Sequence, residues 1–221
     1  QYFDQGLRTL DSAYHVTIQG STNEGAGGTV FTYPFGGNGV ELNDVSGVDM
    51  RNLTIRRALV GIQAQGVRYC SFEFVRCEHG LKGYNLINAS EVAFRHCVAW
   101  GNADVGLSSD ASASSGAGVL WDSGGLWSNL NGVYVNHRDN KDFILQNTTV
   151  GAFEPGGFAF FVVKAGWTSD YNNIYLRNGA MAAAVISGGF IGCMTSRYET
   201  VANWYAGQGQ DAHSTPFEPR F

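Results

Sequence analysis

Lysine is nearly absent. Lys82, Lys141 and Lys164 are the only three in 221 residues, and the formal net charge is −5. A chain this poor in positive charge lacks the basic face that nucleic acid requires, so nucleic-acid binding is not expected. Proline is scarce too, at 4 residues, which suits buried strands that need every N–H for pairing. No apolar run reaches the length of about 18 residues that a membrane-spanning helix needs, and no membrane span is expected. No secretory leader is visible, although a mature chain beginning at Gln1 would have lost one. The cysteines, Cys70, Cys77, Cys97 and Cys193, show no C-x-x-C or Cys/His spacing of the kind that holds zinc. Alternation places Cys70 outward and Cys97 inward above Phe72, on faces that do not allow a bridge between them. Reduced, packed cysteines are the expectation.

What the chain has is glycine, 30 residues of it, and a repeat. Val48 to Gly61 reads VDMRNLTIRRALVG, with Val48, Met50, Leu53 and Ile55 apolar and the alternation changing phase at Asn52. The same frame returns at Val67, Val92, Val119, Phe143 and Ile174, each followed at a near-constant interval by a glycine: Gly80, Gly106, Gly132, Gly157 and Gly188. A constant block with variable spacers marks a repeat architecture. Apolar spacing of two, with β-branched and aromatic residues, excludes helical repeats. One block cannot bury its own apolar face, but stacked blocks can. The expected fold is therefore all-β, a parallel β-helix of roughly seven or eight rungs about 4.8 Å apart. Val48, Val67, Val92, Val119 and Phe143 are predicted to share one inner row. Asn52, Ser71, His96, Ser123, Asn147 and Asn178 are predicted to align at one turn as a polar ladder. Residues 1–221 read as one domain: an irregular lead-in with an early rung (1–38), regular rungs (39–189), and a terminal rung with an irregular tail (190–221). No amphipathic helix is evident to close either end. That leaves the ends covered by terminal segments, continued in a longer chain, or stacked end to end on another copy.

The stretch 88–107, NASEVAFRHCVAWGNADVGL, resembles the repeat of the pectate-lyase-like superfamily, in which a strand ending in Cys or Asn leads to A-x-x-N-x-D-x-G-[LIF]. Cys97, Ala99, Asn102, Asp104, Gly106 and Leu107 fit that pattern, and the resemblance extends over about residues 40–190. It implies a right-handed single-stranded parallel β-helix. It leaves function open among lyases, epimerases, hydrolases, adhesins and phage fibres. In the calcium-dependent lyases of this kind, acidic residues on neighbouring rungs hold Ca²⁺ against a uronate carboxylate while Lys or Arg removes the adjacent proton. Gly157-Phe158-Ala159 with Lys164 is a displaced version of the basic motif. The acidic D-D-G motif is missing; GAMAAAVISGG stands in its place. Ca²⁺ therefore has no supporting carboxylate cluster, and no cofactor or metal site is expected.

The outward positions after each glycine read Glu41, Asn43, Gln63, Gln65, Lys82, Tyr84, Ser108, Asp110, Tyr134 and Asn136. Amides, hydroxyls and two tyrosines suit hydrogen bonding and stacking to a glycan, though an ordinary solvated β-face has the same composition. Tyr84, Tyr134, Asn136, Lys82, Gln63, Gln65 and Asp110 are the candidate substrate-binding residues, the two tyrosines carrying the affinity. If the chain is an enzyme, Lys164 with Asp104 and Asp139 are the catalytic candidates, Asp139 belonging to the charged turn NHRDNKD. Trp100, Trp121 and Trp127 are expected in core or spacer packing. Three functions stay open: a lyase or epimerase-like enzyme on uronate polymers, a non-catalytic glycan-binding or adhesion module, and a structural subunit or fragment of an extracellular fibre. A secreted or cell-surface setting goes with all three.

Overall fold

The structure is a computed structural model that describes residues 7–11, 14–20, 29–32, 37–111, 118–137, 142–163, 167–187 and 194–218. Its strands stack in parallel as a β-solenoid of about six turns. The first face comprises Leu7–Asp11, Asn38–Asn43, Val60–Gln65, Lys82–Ile87, Val105–Ala111, Asn131–His137, Phe158–Val163 and Met181–Ser187, side by side in that order. The second and third faces are joined through two long strands, Ser46–Arg56 and Arg68–Glu78, which run through the corner between them.

Register defines the inner rows. On the first face Val40, Ile62, Tyr84, Leu107, Val133, Phe160 and Ala183 pair in succession. On the second, Cys70, Val92, Val119, Phe143 and Trp167 do so. On the third the row is Ile55, Cys77, Ala99, Leu126, Val150 and Ile174. All of these are buried. Val48, Val92, Val119 and Phe143 stand where the repeat predicts. Val67 does not: it is buried at the preceding turn, and Cys70 takes its place in the row. The repeat frame starts three residues early in this turn and so places Cys70 outward; register turns it inward. Cys70, Cys77 and Cys97 are free and buried; burial pushes their thiols up, Cys97 to about 12. Cys193 lies outside the described residues.

The corner between the second and third faces is made by residues in the left-handed region: Asn52, Phe74, His96, Ser123, Asn147 and Tyr171, with φ of 55, 53, 53, 54, 51 and 56°. Asn52, His96, Ser123 and Asn147 are the residues expected there. Ser71 lies within a strand, and Asn178 belongs to a different turn; Phe74 and Tyr171 occupy their places. This ladder faces outward. Phe74 stacks on His96 at 4.9 Å, and Asn147 Nδ2 donates to Asp122 Oδ1 at 2.9 Å. The polar ladder that carries burial lies elsewhere. Asn102 and Asn129 are 2% and 0% exposed. Asn102 N–H and Nδ2 both donate to Asn129 Oδ1, at 3.0 and 2.9 Å. Asn102 Oδ1 accepts from Gly80 N–H, and Asn129 Nδ2 donates to the Ala99 carbonyl. Asn102 is the asparagine of the pectate-lyase-like pattern, and its work here is to satisfy backbone groups at a sharp bend.

After the last full turn the chain covers its own open coil. Met194–Tyr198 pairs antiparallel with Met181–Ser187. A short helix, Val201–Gln208, is capped by Thr200 at its start and by left-handed Gly209 at its end. Its one buried residue, Trp204, packs against Phe160, Trp167 and Tyr198 and donates from Nε1 to buried Asp211. Residues 210–217 then follow the outer edge of the last coil. Asp211 N–H donates to Ser169 O, Thr215 N–H to Asn172 O, and Ile174 N–H to Thr215 O. These contacts occupy part of the edge that the last coil presents on its second and third faces.

Two stability tests follow. Asn129→Leu should cost about 1–3 kcal/mol, because it strands the Asn102 N–H and the Ala99 carbonyl. Asn147→Gly, which keeps the positive φ and loses one exposed bond, should cost under about 0.5 kcal/mol; equal urea midpoints would contradict this ordering. Trp204→Ala should cost about 3–5 kcal/mol by opening the covered core, read as early amide exchange in Met181–Ser187.

Candidate functional site

The outer side of the first face carries two columns. Glu41, Gln63, Asn85, Ser108, Tyr134 and Phe161 form one; Asn43, Gln65, Ile87, Asp110, Asn136 and Val163 form the other. Four turns match the expected stripe. The turn containing Lys82–Ile87 does not. Two glycines, Gly80 before this strand and Gly83 within it, offer a start, and register selects the second, opposite Gly61 and Gly106. A Cβ on Gly83 would sit 2.5 Å from Gly106 O and 2.7 Å from the Ala99 Cβ, so only glycine fits this bend. Counting from Gly83 turns Asn85 and Ile87 outward and Tyr84 inward.

Tyr84 is consequently not a surface residue. It is 0% exposed. Its hydroxyl donates to the Val75 carbonyl at 2.6 Å, and its ring meets Phe94 and Trp121 edge-on at 5.4 and 5.1 Å. Burial pushes its phenol well above the usual range. A ring held this way cannot stack on a ligand. Of the tryptophans, Trp121 is in the core as expected, whereas Trp100 is 39% exposed on the third face. Trp127 packs at the surface there against Phe153 and Tyr175.

A groove of about 450 Å³ runs over the outer columns. One end is bounded by Lys82 and Asp104, whose Nζ and Oδ2 lie 4.0 Å apart. The floor includes Asn85, Ser108 and Asn131. Asn85 is held by Gln63, to whose Oε1 its Nδ2 donates at 2.8 Å. Tyr134 and Phe161 form one wall, their rings stacked at 5.7 Å and 23°. Asp110 lies diagonally across from Tyr134 and accepts from Asn136 Nδ2 at 3.1 Å. Partial burial, and secondarily the charge of Asp110, raises the Tyr134 phenol above its ordinary value, so it is a hydroxyl donor throughout the neutral range.

The groove thus gathers Lys82, Asp104, Asp110 and Tyr134 from the sequence-predicted set, with Asn136 and Gln63 holding two of its residues. Gln65 is exposed on the neighbouring turn and does not line the groove. Lys164 and Asp139 lie outside the described residues. Asn85 and Phe161 were missed. The signal for Asn85 was Gly83. The signal for Phe161 was strand parity in FAFFVV, where the aromatic character of both neighbours hides the alternation. Asp104 lies in the bend before the strand Val105–Ala111, and Asp110 lies near the far end of that strand. Among the described residues no three His, Cys, Asp or Glu side chains converge as metal donors.

No protein-family model matches the chain, and no curated protein matches it. Among solved structures it is similar to the catalytic domain of a GH87 alpha-1,3-glucanase in complex with tetrasaccharides, with 12% identity and a TM-score of 0.42. The match covers 85% of this chain and 50% of that one, so the chain spans half the length of that structure.

The placement of the two tyrosines is testable. Tyr84→Phe should lower stability by about 1 kcal/mol, since the Val75 carbonyl loses its donor inside the core. Tyr134→Ala, at a half-open position, should change stability by less, under about 1 kcal/mol. A larger urea-midpoint shift for Tyr134→Ala would place the tyrosines the other way round.

Proposed function

We propose that the outer columns of the first face bind a non-acidic glycan chain without cleaving it. The observation that carries this reading is the groove itself: a stacked Tyr134–Phe161 pair beside a row of amides and hydroxyls from successive turns. Aromatic rings cover the C–H faces of pyranoses, and Asn85, Ser108 and Asn131 match their hydroxyls. Turn spacing of about 4.8 Å repeats these groups at close to the length of one sugar unit, so the ligand is a chain and not a monosaccharide. The groove is open, so affinity should be weak, with Kd on the order of 0.1 mM.

The lyase or epimerase-like reading on uronate polymers has less support. Among the described residues two carboxylates and one ammonium line the groove, a balance that repels a uronate chain. Asp104 is engaged by Lys82. The rung pattern around Asn102 supports a place among pectate-lyase-like β-helices while assigning its residues to structure. A polymeric glycan ligand suits a secreted or cell-surface protein.

Titration calorimetry with neutral oligosaccharides of increasing length tests the proposal. Binding should strengthen up to a few units and then level off. Tyr134→Ala/Phe161→Ala should weaken it by roughly tenfold or more. Unchanged binding by that variant would remove the groove from consideration. Steady release of reducing ends would replace the binding reading with a catalytic one.

A further inference from the structure

We infer that the groove selects glycans carrying free amino groups, with Asp110 as the residue that recognises the ammonium. This rests on the glycan-binding reading above and narrows it to a ligand class.

The argument starts from charge. Among the described residues three charged side chains line the groove: Lys82, Asp104 and Asp110. Lys82 and Asp104 sit 4.0 Å apart at one end and offset each other. Asp110 has no such partner. Among the described residues it forms no ion pair, and its Oδ2 accepts from the neutral amide of Asn136. Among the described residues the groove therefore keeps one negative charge without a cationic partner, that of Asp110.

That position is beside the aromatic wall. Asp110 and Tyr134 are diagonal neighbours on adjacent turns, with Tyr134 backed by Phe161. Partial burial, and secondarily the Asp110 charge, raises the Tyr134 phenol above its ordinary value. A carboxylate next to ring faces attracts a cation twice, by direct pairing and through the ring quadrupoles. Covering Asp110 with a neutral sugar would strip water from the carboxylate and return no charge. A uronate would add repulsion. A sugar bearing an ammonium supplies both the C–H face for the rings and the positive charge for Asp110.

The test compares a β-linked glucosamine tetramer with its fully N-acetylated counterpart, by calorimetry at low and moderate salt. The free-amine tetramer should bind roughly three- to tenfold more tightly at low salt, a modest factor because Asp110 is exposed. Asp110→Asn should erase that advantage, so that the two tetramers bind alike. Asp104→Asn should not erase it. Equal or tighter binding of the acetylated form would overturn the selectivity while leaving glycan binding intact. A preference that survives Asp110→Asn would overturn the assignment to this residue. Tetralysine binding as tightly as the glucosamine tetramer would show charge recognition without a sugar requirement, and would also overturn it. If neither tetramer nor any neutral oligosaccharide binds the folded protein, the parent reading fails with it.

Discussion

Everything in this molecule depends on each turn of chain returning to the same place one strand-spacing above the last. Parallel hydrogen bonding demands it, because a strand offset by one residue would turn its apolar side chains to solvent. The corners make the return possible. At the corner between the second and third faces, asparagine, phenylalanine, histidine, serine and tyrosine all adopt nearly the same left-handed conformation, within a few degrees of φ. Phenylalanine and tyrosine bear the steric cost of that region without the side-chain-to-backbone hydrogen bond that asparagine can make there. Packing on both sides of the corner sets the conformation, and residue preference follows only where it can.

The same constraint produces the two kinds of column. Inner columns become continuous stacks of Val, Leu, Phe and Trp, interrupted where a bend leaves backbone groups that Asn102 and Asn129 satisfy. Outer columns become ordered rows of functional groups at a fixed spacing, with side chains on strands and not on loops. Such a face is pre-organised, because ligand binding need not order its backbone. Its shallow shape limits desolvation and therefore affinity, which is why a repeating ligand, gaining contacts turn by turn, fits it better than a small molecule.

The fold was legible in the sequence because its signal is redundant: Val48, Val92, Val119 and Phe143 report one row from four separate turns. The errors came from single turns with ambiguous signals. Two glycines three residues apart, Gly80 and Gly83, offer two starting points for the same strand, and the choice between them decides whether Tyr84 is a ligand platform or core. Tyrosine itself does not decide, since its ring suits the core and its hydroxyl suits a surface. Cys70 was displaced by the same three-residue uncertainty. The closing helix escaped notice because it spans Val201–Gln208, buries only Trp204 and has no apolar periodicity; Thr200 and Gly209 were its readable boundaries. Half of the candidate site was visible as the stripe after each glycine. The pairing of Tyr134 with Phe161, and the isolation of Asp110 from any cation among the described residues, required register and distance.

The most direct measurement is a crystal structure of the protein with a bound oligosaccharide at saturating concentration. The account expects sugar density over the first face, with a pyranose ring against Tyr134 and Phe161 and the chain continuing across neighbouring turns toward Asn85. Density on the third face near Trp100 and Trp127, with the Tyr134 groove empty, would contradict it.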